Sequence, residues 1–116
     1  SGQKTEYIRD LARKTREGEV SFERCLEMDD PAVIEHLTRV KGIGVWTVHM
    51  FLMFALRREN VLPTGDLGIR MAMKKAYGLG ELPKPQEMQR IAEPWHPYCT
   101  IASWYLWRSL EGPAAL

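Results

Sequence analysis

Cysteine and long apolar runs are both scarce in this sequence. Its two cysteines, Cys25 and Cys99, are too few for a disulfide framework or for a cysteine metal cluster. Their scarcity is typical of a reduced compartment. No apolar run approaches the length that spans a bilayer, and the polar N-terminal stretch lacks the pattern of a signal peptide. We therefore expect a cytoplasmic protein with no membrane partner.

The sequence also lacks an excess of charge. Sixteen Lys and Arg oppose fifteen Asp and Glu, which gives a net charge of +1. This balance argues against a protein that holds DNA mainly through a field of basic side chains. It does not exclude DNA binding through backbone amides, which are neutral donors. A hydrophobic content of 45% with four tryptophans is enough to build a folded core.

No segment has the two-residue alternation of a β-strand, whereas helical periodicity recurs along the chain. We predict an all-α fold of six or seven helices in one domain, 1–116. Asp30 followed by Pro31 is typical of a helix start, and Gly78 of a helix end. The predicted helices span 4–17, 22–28, 31 to the glycines at 42–44, 45–56, 66–77, 85–93 and 97–110.

A glycine pair, Gly42 and Gly44, separates two apolar helical faces. Glycine permits a positive φ and a close approach of the backbone to another group. The helix predicted from Val45 begins with amides that have no acceptor within the helix, and such amides attract an anion. A DNA phosphate is the obvious anion. The alternative is a tight turn between packed helices that binds nothing.

A single acid, Asp66, lies 22 residues after Gly44 and directly before a predicted helix. The amides of a helix N-terminus favour an ionised carboxylate. Asp66 could act only as the N-cap of that helix, or it could also take part in chemistry. The two roles are compatible, because a cap fixes the position of the carboxylate.

The segment 37–70, LTRVKGIGVWTVHMFLMFALRRENVLPTGDLGIR, combines both features. It resembles the helix-hairpin-helix DNA glycosylases of the HhH-GPD superfamily, in particular the bacterial 3-methyladenine DNA glycosylase II branch. The resemblance implies a helical bundle with a helix-hairpin-helix motif at about 31–56. It covers the C-terminal portion of the family's fold. We therefore expect that the N-terminal part of the family's core is missing, and that a longer chain would supply it.

This resemblance implies a monofunctional DNA glycosylase that hydrolyses the N-glycosidic bond of alkylated purines in base excision repair. Its partner would be double-stranded DNA with damaged bases, in the nucleoid of a bacterium. Asp66 matches the family's catalytic acid. The positions that match its DNA-binding hairpin are Lys41, Gly42, Ile43, Gly44 and Thr47.

The resemblance also implies an aromatic pocket for a flipped base. Trp46, Met50 and Trp107 match pocket positions, and indole rings attract a cationic base. Met50 stands where some close relatives have tyrosine. Trp104 and Tyr105 are neighbouring aromatics with a weaker match. The alternative is that these side chains only pack in the core.

No cofactor is expected to be required. Relatives similar to endonuclease III carry four clustered cysteines after the catalytic helix for an iron–sulfur cluster, whereas this chain has one cysteine there. The resemblance implies a structural Na⁺ or K⁺ at the hairpin, held by the backbone carbonyls of Thr38, Val40 and Ile43.

Two other interpretations stay open. A non-catalytic helix-hairpin-helix module, as in ligases, polymerases and nucleases, would need the glycine turn but neither Asp66 nor the tryptophans near the end of the sequence. A glycosylase fragment that is inactive without its N-terminal part would have all of these features.

Trp46 generates a prediction about lyase activity. Relatives that also cut the DNA backbone have a lysine at this position, which forms a Schiff base with the sugar. Because tryptophan has no amine, we expect no covalent adduct when the chain is treated with borohydride on abasic DNA. A lysine-bearing relative serves as the positive control. A substantial adduct with this chain would contradict the monofunctional assignment.

Overall fold

The structure, a computed structural model, describes residues 1–111. Within this range it is all-helical and contains no strand, as predicted. None of its helices is long and apolar enough to cross a membrane. The elements in chain order are α1 (Gly2–Arg16), α2 (Phe22–Cys25), α3 (Asp30–Leu37), α4 (Val45–Phe54), α5 (Leu67–Tyr77), α6 (Pro85–Ala92), a 3₁₀ turn (Glu93–Trp95) and α7 (Cys99–Ser109).

Internal contacts group the residues into two compact units. The first is Ser1–Phe51, with α1 to α3, the glycine hairpin and most of α4. The second runs from Leu52 onward and contains the end of α4 and helices α5 to α7. A single domain over 1–116 stays a prediction, and residues 112–116 of that range lie outside the described residues.

Several helix boundaries in the first unit differ from the sequence prediction. Helix α1 begins at Gly2 rather than at residue 4. Helix α3 ends at Leu37 and does not reach the glycines, because Val40 N–H donates to the carbonyl three residues back, that of Leu37, at 3.2 Å.

Asp29, rather than Asp30, is the N-cap of α3: its backbone is extended, and its Oδ1 accepts the Ala32 amide at 2.9 Å. Asp30 already belongs to the helix, so the two adjacent acids differ in role. Helix α2 ends at Cys25 and not at Met28, because the next amides donate to the carbonyl three residues back, as in a 3₁₀ turn. For example, Leu26 N–H donates to the Glu23 carbonyl at 3.2 Å.

Two boundaries in the second unit also differ. Helix α4 ends at Phe54, two residues before the predicted end, and Arg57 adopts a left-handed φ of 55°. Helix α7 begins at Cys99 rather than Pro97. Its first amides are satisfied by a distant loop: Cys99 N–H donates to Asn60 Oδ1 at 3.2 Å, and Thr100 N–H donates to the Glu59 carbonyl at 2.9 Å. A cap supplied 39 residues upstream leaves no local sequence signal.

The core of the second unit forms between α5, α6 and α7. Its buried side chains contact one another closely, and helices α5 and α7 pack together. This packing fixes the start of α5 against a face of α7. The buried residues of this cluster are Ile69, Ala72, Met73, Met88 and Leu106.

A buried carboxylate on α1, Asp10, organises the approach to the hairpin in the first unit. Its Oδ2 accepts the Lys41 amide and the Lys14 ammonium, each at 2.8 Å, and its Oδ1 accepts Arg13 Nη2 at 2.9 Å. Lys14 Nζ also donates to the Arg39 carbonyl at 2.9 Å. Helix α1 therefore holds the residues that lead into the hairpin through hydrogen bonds to ionised groups.

Asp10 generates a prediction about acid stability. Its hydrogen bond with Lys14, followed by that from the Lys41 amide, holds the pKa of the Asp10 carboxyl well below its usual range. Because the folded-state pKa lies below the unfolded value of about 3.9, the stabilisation is complete above that value and is lost as the pH falls. Asp10→Asn should therefore be less stable at neutral pH and should lose less stability on acidification.

Thermal melts from neutral pH down to about pH 2 measure this difference in slope. Asp29→Asn is the matched control, since asparagine caps a helix about as well as aspartate. Equal slopes for the native chain and Asp10→Asn would contradict the role given to Asp10.

Candidate active site and hairpin

The N-terminus of α5 holds Asp66, as the sequence predicted. The Asp66 backbone is extended, and its Oδ2 accepts the Ile69 amide at 2.9 Å, which makes Asp66 the N-cap of the helix. The side chain is buried, with 8% of the residue exposed. A buried carboxylate requires hydrogen-bond donors, so its environment must supply more than the single cap.

Trp107 on α7 supplies a second donor. Its indole Nε1–H donates to the same Asp66 Oδ2 at 2.8 Å. An indole nitrogen can only donate, so its direction toward the carboxylate is unambiguous. The sequence predicted Trp107 as part of a base pocket but gave no reason to pair it with Asp66, 41 residues earlier. Both donors fall on one oxygen and hold the carboxylate plane in place.

An aromatic residue that the sequence analysis did not single out, Phe54, stacks on Trp107. The ring centroids lie 6.0 Å apart with an interplanar angle of 25°. Phe54 is the last residue of α4 and is half exposed. Its position among the apolar residues of α4 carries no signal that would distinguish it from a core residue. The stacking orients the indole whose N–H bonds to Asp66.

Trp104, one turn before Trp107 on α7, lines a cavity in the second unit. This cavity of about 470 Å³ is bounded by this indole, by Phe54 and Ile101, and by Arg57 and Arg58 in the loop after α4. Trp104 and Tyr105 are both exposed, at 48% and 70%. The alternative that they pack in the core is therefore wrong for these two residues.

The glycine hairpin, in the first unit, leads directly into α4, which begins at Val45. Gly42 has a φ of 85°, and a side chain there would collide with the Tyr7 ring. Gly44 has no positive φ, and a Cβ on it would meet nothing within 4 Å. The positive φ that glycine permits thus occurs at Gly42 and not at Gly44, because the chain reverses at the first glycine alone.

The amides around the hairpin are not equally available. Lys41 N–H donates to Asp10, and Ile43 N–H donates to the Val40 carbonyl at 3.1 Å. The Lys41 ammonium pairs with Glu6 at 3.0 Å. Two of the predicted DNA-binding residues therefore use their amides within the fold. Thr47, in the first turn of α4, is exposed.

Trp46 and Met50 lie one turn apart on α4 in the first unit. Trp46 is exposed over 49% of its surface, whereas Met50 is partly buried. Trp46 is therefore not a fully buried core residue. Whether these residues line a base pocket stays a prediction.

Metal ligands of the usual kind do not cluster in residues 1–111: no group of three or more His, Cys, Asp and Glu side chains there could hold an ion. At the hairpin, the Val40 carbonyl accepts Ile43 N–H and keeps a second lone pair. The monovalent cation on the carbonyls of Thr38, Val40 and Ile43 stays a prediction.

Solved structures share this architecture. One is Schizosaccharomyces pombe 3-methyladenine DNA glycosylase in complex with abasic DNA, with a TM-score of 0.87 and 33% identity over all of this chain and 56% of that chain. Another is a DNA-3-methyladenine glycosidase from Bacillus halodurans, with a TM-score of 0.83 and 39% identity over 94% of this chain and 50% of that chain.

Sequence comparison agrees. The Bacillus subtilis protein YfjP is 39% identical over 96% of this chain and 39% of its own length. The chain thus spans about half the length, or less, of the relatives that it matches. The family described as HhH-GPD superfamily base excision DNA repair protein matches residues 1–97. With the helical hairpin and the capping Asp66 in the same chain, these matches establish that it belongs to the HhH-GPD superfamily.

Proposed function

We propose that this chain carries the catalytic residues of a monofunctional DNA glycosylase that hydrolyses the N-glycosidic bond of alkylated purines, of the 3-methyladenine type. The observation that carries the proposal is the buried Asp66 carboxylate, held by a helix amide and by the Trp107 indole N–H. The relatives that are named as 3-methyladenine glycosylases support the substrate class.

The proposed reaction uses the charge of Asp66. Cleavage of a glycosidic bond passes through a transition state with positive charge on the sugar. A fixed carboxylate beside that charge stabilises it without reorganising during the reaction. An alkylated purine is already cationic and leaves readily, so little acid catalysis is needed. Water then completes the hydrolysis at the sugar carbon.

The substrate base is proposed to stack on indole rings. A cationic purine is attracted to the face of an electron-rich aromatic ring, and tryptophan provides the strongest attraction. The half-exposed Trp46 suits such a partner, with Met50 beside it on α4. Trp107 is proposed as a further pocket residue; Phe54 stacks on its ring, and its N–H donates to Asp66.

The hairpin is proposed to bind a phosphate of double-stranded DNA. Since the Lys41 and Ile43 amides already have acceptors, we assign phosphate binding to the amides from Gly44 into the first turn of α4. Gly44 has open space where a Cβ would stand, which leaves room for a phosphate. A Na⁺ or K⁺ on the carbonyls of Thr38, Val40 and Ile43 would add a positive charge beside that phosphate.

Substitution of each hairpin glycine by alanine tests the phosphate site. Gly42→Ala should destabilise the fold by about 1–2 kcal/mol or more, because it forces a left-handed backbone on alanine and displaces Tyr7. Gly44→Ala should leave the melting temperature unchanged. It should weaken DNA binding roughly tenfold, equivalent to about one hydrogen bond to a charged group.

Melting curves and binding to a duplex of random sequence measure the two effects. Gly42→Ala and Gly44→Ala are matched variants, since each adds one methyl group, on either side of Ile43. Undiminished DNA binding by Gly44→Ala would place the phosphate elsewhere on the chain.

Asp66→Asn tests the catalytic role. Asparagine preserves the cap, so stability should change by about 1 kcal/mol or less. The rate of single-turnover excision of an alkylated purine should fall, because the charge that faces the sugar is lost. The expected fall is equivalent to about 3 kcal/mol of transition-state stabilisation. Binding to damaged DNA should persist.

The excision rate is measured for this chain and for a longer form of the protein. In each form Asp29→Asn is the control, because it replaces a second N-cap aspartate by asparagine. Full excision by Asp66→Asn would leave Asp66 only its capping role. Binding without excision by the native residues in both forms would favour the non-catalytic module instead.

A further inference from the structure

The contact between Asp66 and Trp107 passes directly over a glycine. Gly68 is the second residue of α5, two positions after the capping acid. A Cβ built on Gly68 would lie 3.1 Å from Trp107 Cδ1 and 3.2 Å from Trp107 Nε1. The same Cβ would lie 3.2 Å from Asp66 Oδ2, the oxygen that accepts the indole N–H. A methyl group at this position would therefore press on both partners of the hydrogen bond.

The backbone at Gly68 does not itself require glycine. Its φ is not in the left-handed region, unlike those of Gly18, Gly42 and Gly78. It lies in the first turn of a regular helix, where alanine is a better helix former than glycine. Local structure thus gives no reason for glycine here. The lack of a side chain at Gly68 matters only for the Trp107 indole and the Asp66 carboxylate that pack against it.

We infer that Gly68 is a positioning residue of the Asp66 site. Its bare α-carbon provides the clearance that lets the Trp107 indole approach the start of α5 and donate to Asp66. This inference rests on the proposed function for its catalytic consequence, and on the geometry alone for its structural one. In this role Gly68 acts through Trp107.

Alanine at this position separates the structural and catalytic consequences. In Gly68→Ala, contacts of 3.1–3.2 Å require the indole or the carboxylate to shift by a few tenths of an ångström. Oδ2 of Asp66 is also held by the Ile69 amide, so the indole is the partner that moves. The hydrogen bond lengthens, while helix α5 itself becomes easier to form. The variant should therefore melt at the same temperature as the native chain or higher.

The direct test is the indole N–H resonance of Trp107 in the ¹⁵N-labelled chain. The protein has four tryptophans, and the resonance of Trp107 is the one that disappears in Trp107→Phe. In Gly68→Ala this resonance should move upfield as the hydrogen bond to the carboxylate weakens, and its hydrogen exchange should accelerate. Gly80→Ala is the matched control, since a Cβ there meets nothing within 4 Å and its φ is not positive.

The catalytic test is a double-mutant cycle on single-turnover excision. Gly68→Ala should slow excision by roughly tenfold to a hundredfold, because small displacements of positioned groups carry such costs. In the Trp107→Phe background, which lacks the N–H, the same substitution should slow excision much less. Gly80→Ala should change neither the resonance nor the rate.

The outcomes are distinguishable. An unmoved Trp107 resonance in Gly68→Ala overturns the inference, as does an equal loss of excision with and without the Trp107 indole N–H. A lower melting temperature with an unmoved resonance would assign Gly68 a packing role only. If the native chain excises no alkylated purine in any form, the proposed function fails, and the resonance alone then decides whether Gly68 positions the pair.

Discussion

The second unit is organised around one oxygen atom. Asp66 Oδ2 accepts both the Ile69 amide, which starts helix α5, and the Trp107 indole, which belongs to α7. A carboxylate buried to this extent is tolerated because both donors compensate for lost hydration. The same bonds cap a helix, join two helices and fix the direction of a negative charge. The proposed chemistry needs that fixed charge, and the fold provides it as part of its own stability.

A second carboxylate has a comparable role in the first unit. Asp10 holds the Lys41 amide, while Tyr7 fills the space beneath Gly42, so α1 shapes the hairpin from two sides. This arrangement uses the amide of Lys41 for folding rather than for ligand binding. It restricts the available anion-binding amides to the far side of the turn. The shape of the hairpin is therefore set by side chains more than 30 residues away in sequence.

Membership of the HhH-GPD superfamily explains why these features occur together in one chain, although the chain spans about half the length of its relatives. The helix pair, the capping acid and the tryptophan on α7 all lie within the described residues. The net charge of only +1 would contribute little to the proposed DNA binding. Recognition by backbone amides, which a count of charged residues does not detect, suits a protein of this composition.

The sequence by itself determined the helical class, the glycine turn and the acid at the start of α5. Helical periodicity and the N-cap of α5 depend on residues that are close together in the sequence, so a local pattern predicts them. The sequence misplaced the start of α7, because the groups that accept the first amides of that helix come from residues 59–60. It also did not indicate which hairpin glycine adopts a left-handed backbone, and only Gly42 does. Only the tertiary structure decided that Trp107 donates to Asp66, that Phe54 stacks on that indole and that Gly68 lies beneath the contact. These contacts depend on how α5 and α7 pack, and packing joins residues that no local pattern relates.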